Sequence, residues 1–74
     1  MRQLLKLKAF RVEHQLTQED MAKTLGISKG NYAKKENGMT FFALEECCQI
    51  SRLFNAPMRM IFDGYFDGLT SLSF

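Results

Sequence analysis

The segment 28–36, SKGNYAKKE, contains the side chains best suited to bind a charged partner. Lys34 lies five residues, somewhat more than one helical turn, after Lys29, and we expect both ammonium groups to point toward the same partner. Asn31 lies between them. Ammonium and amide groups donate hydrogen bonds to phosphate oxygens and to O6 and N7 of guanine. These residues favour a polyanionic partner, and both base contact and phosphate contact remain open.

A short helix is predicted directly before this segment. Thr17 is a good N-cap, and Asp20, three residues later, is placed to bond back to the N–H of the cap residue. Gly26 stands where this helix should end, because glycine adopts the left-handed conformation of a C-cap without penalty.

A second helix is predicted to start almost at once. Ser28 is its N-cap, Tyr32 is its inward-facing residue, and Asn37-Gly38 ends it with two residues that tolerate positive φ. Only Ile27 separates the terminating glycine from the next cap, so the two helices must cross steeply. The sequence therefore predicts a helix-turn-helix over residues 17–38, with the outward face of its second helix as the working surface.

Length and composition limit the class of protein. A chain of 74 residues forms one domain with one core. No run of about eighteen apolar residues is present, and Arg2, Lys6 and Lys8 interrupt the first ten residues, so we expect neither a membrane span nor a secretory signal. The expected location is the cytoplasm.

Positive charge is concentrated in the half that contains the two-helix motif. Residues 1–38 carry a net charge of +4, whereas residues 39–74 carry −2. Positive charge beside a helix-turn-helix favours a polyanion, because each phosphate that is neutralised releases counterions.

The residues needed for catalysis or metal binding are sparse. There is one histidine, His14, and neither an HExxH motif nor a glycine-rich phosphate loop. Cys47 and Cys48 are adjacent and are best explained as small core residues, since vicinal pairs rarely form structural disulfides. We expect no enzyme activity, metal, cofactor or small-molecule substrate.

Three further helices are predicted around the motif. The first runs from Gln3 to Gln15, with Leu4, Leu7 and either Phe10 or Val12 facing inward. The fourth runs from Phe41 or Phe42 to Phe54, and its predicted buried stripe comprises Leu44, Cys47, Ile50 or Ser51, and Phe54. The fifth is short, has Pro57 in its first turn and ends at Asp63-Gly64.

The last eleven residues differ from the rest. Residues 64–74 are rich in apolar side chains but show only partial alternation, so we expect an irregular or extended tail. The predicted division is a domain over residues 1–63 and a tail over 64–74. The tail is expected either to pack back on the core or to cover a subunit interface.

Residues 4–62 resemble the Cro/cI-type, lambda-repressor-like helix-turn-helix family. The matching residues are Arg11, Leu16-Thr17-Gln18, Ala22, Leu25-Gly26-Ile27-Ser28, Glu36-Asn37-Gly38, Leu44 and Ile61-Phe62. The resemblance implies an all-α fold, a compact five-helix domain with the helix-turn-helix in helices 2 and 3.

The same resemblance implies which residues contact DNA. Phosphate contacts are implied for Gln18 and Asn37, and the face turned to base edges comprises Ser28, Lys29, Gly30 and Lys34. Asn31, on the same helix, is a further DNA-binding candidate from the sequence itself. The resemblance also implies a structural ion pair between Arg11 and Glu36.

Two positions depart from the family pattern. Gly30 offers no side chain for base readout and costs roughly 1 kcal/mol of helix stability relative to alanine. Lys35 stands where the family usually has an apolar residue. Either packing there is looser, or the aliphatic stem covers the core while the ammonium reaches water.

The function implied by the resemblance is sequence-specific binding of double-stranded DNA by a phage or bacterial transcription regulator, expected to be a repressor and a homodimer. The alternative is a protein-interaction module, such as an antitoxin-like partner, on the same scaffold. Lys29, Asn31 and Lys34 favour the first, and Gly30 with the apolar tail favours the second.

Overall fold

Five helices make up the part of the chain that the computed structural model describes, residues 4–62. They are α1 (Leu5–Glu13), α2 (Gln18–Leu25), α3 (Lys29–Glu36), α4 (Leu44–Phe54) and α5 (Met58–Ile61). No strand occurs within this range, and the predicted all-α fold is confirmed. None of these helices is long and apolar enough to cross a membrane. The predicted tail, residues 64–74, and the predicted end of α5 at Asp63-Gly64 lie outside the described residues.

The start and end signals of the central helix pair act as the sequence predicts. The Asp20 N–H donates to Thr17 Oγ1 at 3.0 Å, and the Thr17 N–H donates to Asp20 Oδ2 at 2.9 Å. These two bonds form a capping box, and the backbone bond from Thr17 holds the pKa of Asp20 below its usual value. Gly26 is left-handed with φ 71°, and Ser28 Oγ accepts the Asn31 N–H at 3.1 Å. Only residues 26–28 separate α2 from α3.

The core gathers apolar side chains from every helix. Its buried members are Leu4, Leu7, Met21, Ala22, Tyr32, Phe42, Cys47, Ile50, Phe54, Ile61 and Phe62. Phe10, and not Val12, is the third inward residue of α1, since Phe10 packs against this core while Val12 is 57% exposed. Burial also raises the pKa of the Cys47 thiol to about 11, as expected for a core filler.

The prediction for the start of α4 is wrong. The helix begins at Leu44, and Leu44 is 65% exposed instead of buried. Ala43 is extended, and its N–H donates to Glu46 Oε1 at 2.8 Å, so the carboxylate of the first turn fixes the helix start there. Phe42, in the extended segment before the helix, enters the core instead at 6% exposure.

One other helix is shorter than predicted, and one predicted helix terminator takes a different backbone conformation. α1 ends at Glu13 and not at Gln15, because Gln15 has a positive φ of 59°. At the end of α3, Asn37 keeps a right-handed conformation with φ −81°, and Gly38 alone takes the positive φ, 81°. The first three residues, including the predicted start of α1 at Gln3, lie outside the described range.

Candidate nucleic-acid interface

The outward side of α3 is open to solvent and the inward side is fully buried. Lys29, Asn31 and Lys34 are exposed, whereas Tyr32 and Glu36 are 0% and 2% exposed. None of the three exposed side chains makes a hydrogen bond or an ion pair within residues 4–62. Their donors therefore remain available to an external acceptor.

Ser28 and Gly30 complete the first turn of this face. Ser28 is exposed and uses its hydroxyl oxygen as the helix cap, which leaves its hydroxyl hydrogen to donate elsewhere. A Cβ built on Gly30 would meet no described atom within 4 Å apart from its chain neighbours and the backbone of its own helix. No steric contact within residues 4–62 therefore requires glycine at this position.

Asn37 lies apart from the first turn, at the opposite end of α3. Its side chain is exposed, and its backbone N–H donates to the Ala33 carbonyl at 2.9 Å. The structure thus places Ser28, Lys29, Gly30 and Asn31 together at one end of the helix and Asn37 at the other. A partner that contacts both groups must therefore extend along the length of α3.

A buried carboxylate beneath this face joins three helices. Glu36 Oε2 accepts from Arg11 Nε at 2.8 Å and from the Tyr32 hydroxyl at 2.9 Å. Glu36 Oε1 accepts from Gln18 Nε2 at 3.0 Å and from Arg11 Nη2 at 3.2 Å. We call these four residues the Glu36 network. It fixes α1, α2 and the inward side of α3 to one another.

The ionisation of Glu36 follows from these partners. Burial alone would raise its pKa, but the hydrogen bonds from Arg11, Gln18 and Tyr32 outweigh burial, so the pKa lies below its usual value. The hydrogen bond to Glu36 raises the pKa of Arg11, and burial beside the carboxylate raises that of Tyr32. The network therefore holds a carboxylate anion, a guanidinium cation and a neutral phenol.

Only half of the Glu36 network is evident from the sequence. The resemblance gave Arg11 and Glu36, but the bonds from Tyr32 and Gln18 were missed. Tyr32 and Glu36 are four residues apart on one helix, and that spacing could have revealed their contact. Gln18 is eighteen residues from Glu36, and no local pattern signals that bond.

An open cleft of about 420 Å³ lies above the network, between α1, α2 and the start of α3. Its lining residues are Arg11, Val12, Gln15, Leu16, Thr17, Gln18 and Lys29. Gln18 was expected at the interface for phosphate contact, and the cleft brings it together with Lys29. This side of the cleft is rich in hydrogen-bond donors.

Comparison with known proteins agrees with this architecture. The profile of the helix-turn-helix family matches residues 7–61. The chain belongs to the Cro/cI-type helix-turn-helix family. An uncharacterized HTH-type transcriptional regulator of Methanocaldococcus jannaschii is 39% identical over 57 residues, which cover 77% of this chain and 86% of that protein. No solved structure matches the chain significantly.

In this helix-turn-helix protein, the contacts of the Lys35 side chain differ from both of the arrangements expected from the sequence. Its ammonium does not extend into water: Lys35 Nζ donates to the Phe41 carbonyl and to Glu46 Oε1, both at 3.0 Å. It also lies 5.7 Å from the centre of the Phe42 ring, within range of a cation–π interaction. Packing here is not loose, because the lysine ties α3 to the start of α4.

The histidine and cysteine side chains of the helix-turn-helix domain, which could in principle bind a metal or react, contact other parts of the protein instead. Within residues 4–62, no three histidine, cysteine or acidic side chains are grouped so that they could hold a metal ion. His14 is the exposed C-cap residue of α1, with Nδ1 2.8 Å from the Phe10 carbonyl oxygen. Cys48 is half-buried, with its Sγ 4.0 Å from Met58 Sδ.

Proposed function

We propose that this protein is a sequence-specific, DNA-binding transcription regulator that places α3 in the major groove of double-stranded DNA. The observation that carries this proposal is the contrast between the two sides of α3. Lys29, Asn31 and Lys34 are exposed, while Tyr32 and Glu36 anchor the helix from within. An α-helix fits the major groove, where hydrogen-bonding patterns distinguish all four base pairs.

The proposed contacts divide by position. Ser28, Lys29, Asn31 and Lys34 face base edges, with Gly30 among them allowing close approach of the backbone. Gln18 and Asn37 contact phosphates and set the orientation of the domain. Since few side chains read bases directly, sequence-dependent DNA shape supplies part of the specificity.

We further propose that the protein acts as a repressor and binds as a homodimer. Two-fold symmetry would place two copies of α3 about one DNA turn apart, roughly 34 Å, on a near-palindromic operator. In this proposal residues 1–63 form the DNA-binding domain, and residues 64–74, which are rich in apolar side chains, contribute to the dimer contact. Sedimentation at high protein concentration with operator-length DNA should show two chains per duplex. One chain per duplex would contradict the dimer.

An alternative function is that of a protein-interaction module with weak or no DNA binding. Two observations favour it. Gly30 offers no side chain for readout, and several large apolar side chains are exposed, namely Leu5, Val12, Met39, Phe41, Leu44, Leu53 and Met60. Titration of a labelled duplex at low and high salt separates the two functions. DNA binding predicts an affinity that falls steeply with salt, and the alternative predicts no binding.

A pair of lysine variants tests the proposed face. Lys29→Ala should weaken DNA binding by at least about fivefold, because it removes a donor from the first turn of α3. Lys23→Ala, on α2, removes the same charge from an exposed site outside the proposed face and should weaken binding much less. The dissociation constants can be measured by fluorescence anisotropy on duplexes selected from a random pool.

Equal losses in the two variants would show that α3 is not the recognition helix. The salt dependence then separates two kinds of contact for Lys29. A phosphate contact should reduce the slope of log affinity against log salt by about one, whereas a base contact should relax the sequence preference at one position.

A further inference from the structure

The side chain of Gln18 lies where the Glu36 network meets the cleft. Its Nε2 donates to Glu36 Oε1 at 3.0 Å, and the residue also lines the cleft that Lys29 borders. One amide group therefore touches both a buried anion and the surface proposed for DNA phosphates.

The hydrogen bond to Glu36 determines which end of the Gln18 amide, the NH2 group or the carbonyl oxygen, faces the carboxylate. An ionised carboxylate only accepts hydrogen bonds, so it must face the NH2 end of the Gln18 amide and not the carbonyl end. One of the two N–H groups is used in this bond, and the second remains for another acceptor. A phosphate also needs a donor, and a reversed amide would present its carbonyl oxygen instead.

Apart from Gln18, Glu36 is held in place from one other helix, α1, and from within its own helix, α3. Arg11 donates two hydrogen bonds to it from α1, and Tyr32 donates one from within α3. The carboxylate is 2% exposed, so water does not compete for its oxygens. The acceptor that Gln18 meets therefore has a fixed position.

We propose that Glu36 is a positioning residue for DNA binding: it orients the Gln18 amide so that an N–H group is directed at a DNA phosphate in the cleft shared with Lys29. This inference rests on the proposed function. Arg11 offsets the charge of Glu36, so the buried anion does not repel the phosphate. Glu36 acts only through Gln18 and does not touch DNA.

The first test uses the unmodified protein. Without DNA, nuclear magnetic resonance should show one Gln18 side-chain amide proton shifted downfield and exchanging slowly with solvent, because it is bonded to a buried carboxylate. It should also show a scalar coupling across the hydrogen bond to the Glu36 carboxylate. A freely reorienting amide, with protons like those of an exposed glutamine such as Gln15, would overturn the inference.

The second test asks whether the contribution of Gln18 to binding depends on Glu36. Removing Glu36 alone would leave Arg11 buried and unpaired, so the comparison background is Arg11→Met/Tyr32→Phe/Glu36→Met, which replaces the polar group by apolar side chains. Circular dichroism and a thermal melt establish that this background is folded. Gln18→Ala is then introduced into both backgrounds, and binding is measured with a fluorescein-labelled mixed-sequence duplex at low salt.

In the unmodified background we expect Gln18→Ala to lower affinity about tenfold, as for one hydrogen bond to a charged group. In the apolar background the same change should lower affinity less than about twofold, because the amide is no longer oriented. Equal losses in both backgrounds would overturn the positioning role while leaving the proposed function intact. Absence of any binding by the unmodified protein would overturn the proposed function and this role with it. If the apolar background does not fold, the nuclear magnetic resonance experiment on the Gln18 amide decides whether Glu36 orients it.

Discussion

Two adjacent residues of α3 take part in two very different ion pairs. Glu36 meets Arg11 at 2.8 Å, with side chains 2% and 11% exposed, and accepts four hydrogen bonds from three helices. Lys35 meets Glu46 at 3.0 Å, with side chains 19% and 15% exposed, and joins α3 only to the start of α4. Neighbouring residues of a helix point about 100° apart, so the two pairs hold α3 from two sides.

The difference teaches how the protein secures one helix while leaving a face of it open. A buried carboxylate with all its bonds satisfied cannot lose a partner cheaply, whereas a pair nearer the surface contributes little on its own. The Glu36 network should therefore dominate the stability of the helix-turn-helix. The Lys35–Glu46 pair should only adjust how α4 joins it.

The largest expected effect comes from Glu36→Ala. It leaves the Arg11 guanidinium and the Tyr32 hydroxyl without their acceptor, and breaking a buried pair in this way costs about 3–5 kcal/mol. For a small domain this is a large part of the free energy of unfolding. Urea denaturation followed by circular dichroism measures the loss.

Glu13→Ala is the matched control, since Glu13 is an exposed carboxylate on α1. Its effect should stay within about 0.5 kcal/mol. Similar losses in the two variants would mean that the Glu36 network is no more important than an ordinary surface charge.

Acidification should lower the free energy of unfolding by less than Glu36→Ala does, because a protonated Glu36 stays in place and keeps some of its hydrogen bonds. Its pKa in the folded protein lies below the ordinary value of 4.5, so the stabilisation is complete above about pH 5 and is lost as pH falls through the folded pKa. Unfolding free energies from pH 6 to pH 3 should decline in this range. The decline should be shallower in the Arg11→Met/Tyr32→Phe/Glu36→Met background.

Asp20 titrates in the same direction, because its capping bonds also lower its pKa. Asp20→Asn therefore serves to subtract that contribution. If Asp20→Asn alone abolished the acid dependence, the Glu36 network would not be its source.

The smallest expected effect is that of Lys35→Met, which keeps an unbranched chain against Phe42 but removes the ammonium. The loss should be below about 1 kcal/mol, as for ion pairs near the surface. It should shrink further at high salt, while the effect of Glu36→Ala should change little, because buried pairs are poorly screened. A larger loss for Lys35→Met than for Glu36→Ala would reverse the comparison.

The sequence predicted well wherever a structural decision is local. Thr17 with Asp20, Gly26, and Ser28 each fix a helix end through groups no more than four residues away, and all three predictions are confirmed. Helical spacing also identified most of the core, including Tyr32, because a residue that faces inward does so on every turn.

Predictions failed where distant side chains decide the outcome. The predicted burial of Leu44 was wrong because Phe42 fills the core instead, where its ring packs against Tyr32 and Phe62. The position of the Lys35 ammonium likewise depends on the Glu46 carboxylate, eleven residues away. At the interface, the resemblance supplied the exposed residues, but the bond that orients Gln18 became visible only once three helices had been placed together.

The empty space around Gly30 has a practical consequence. Apart from its chain neighbours and its own helix backbone, no described atom lies within 4 Å of a Cβ at this position, and the backbone is that of an ordinary helix. A side chain can therefore begin there without repacking. Position 30 thus lies on the proposed recognition surface but contributes no side chain to it. Grafting asparagine, glutamine or arginine there offers a route to regulators with reprogrammed target sites.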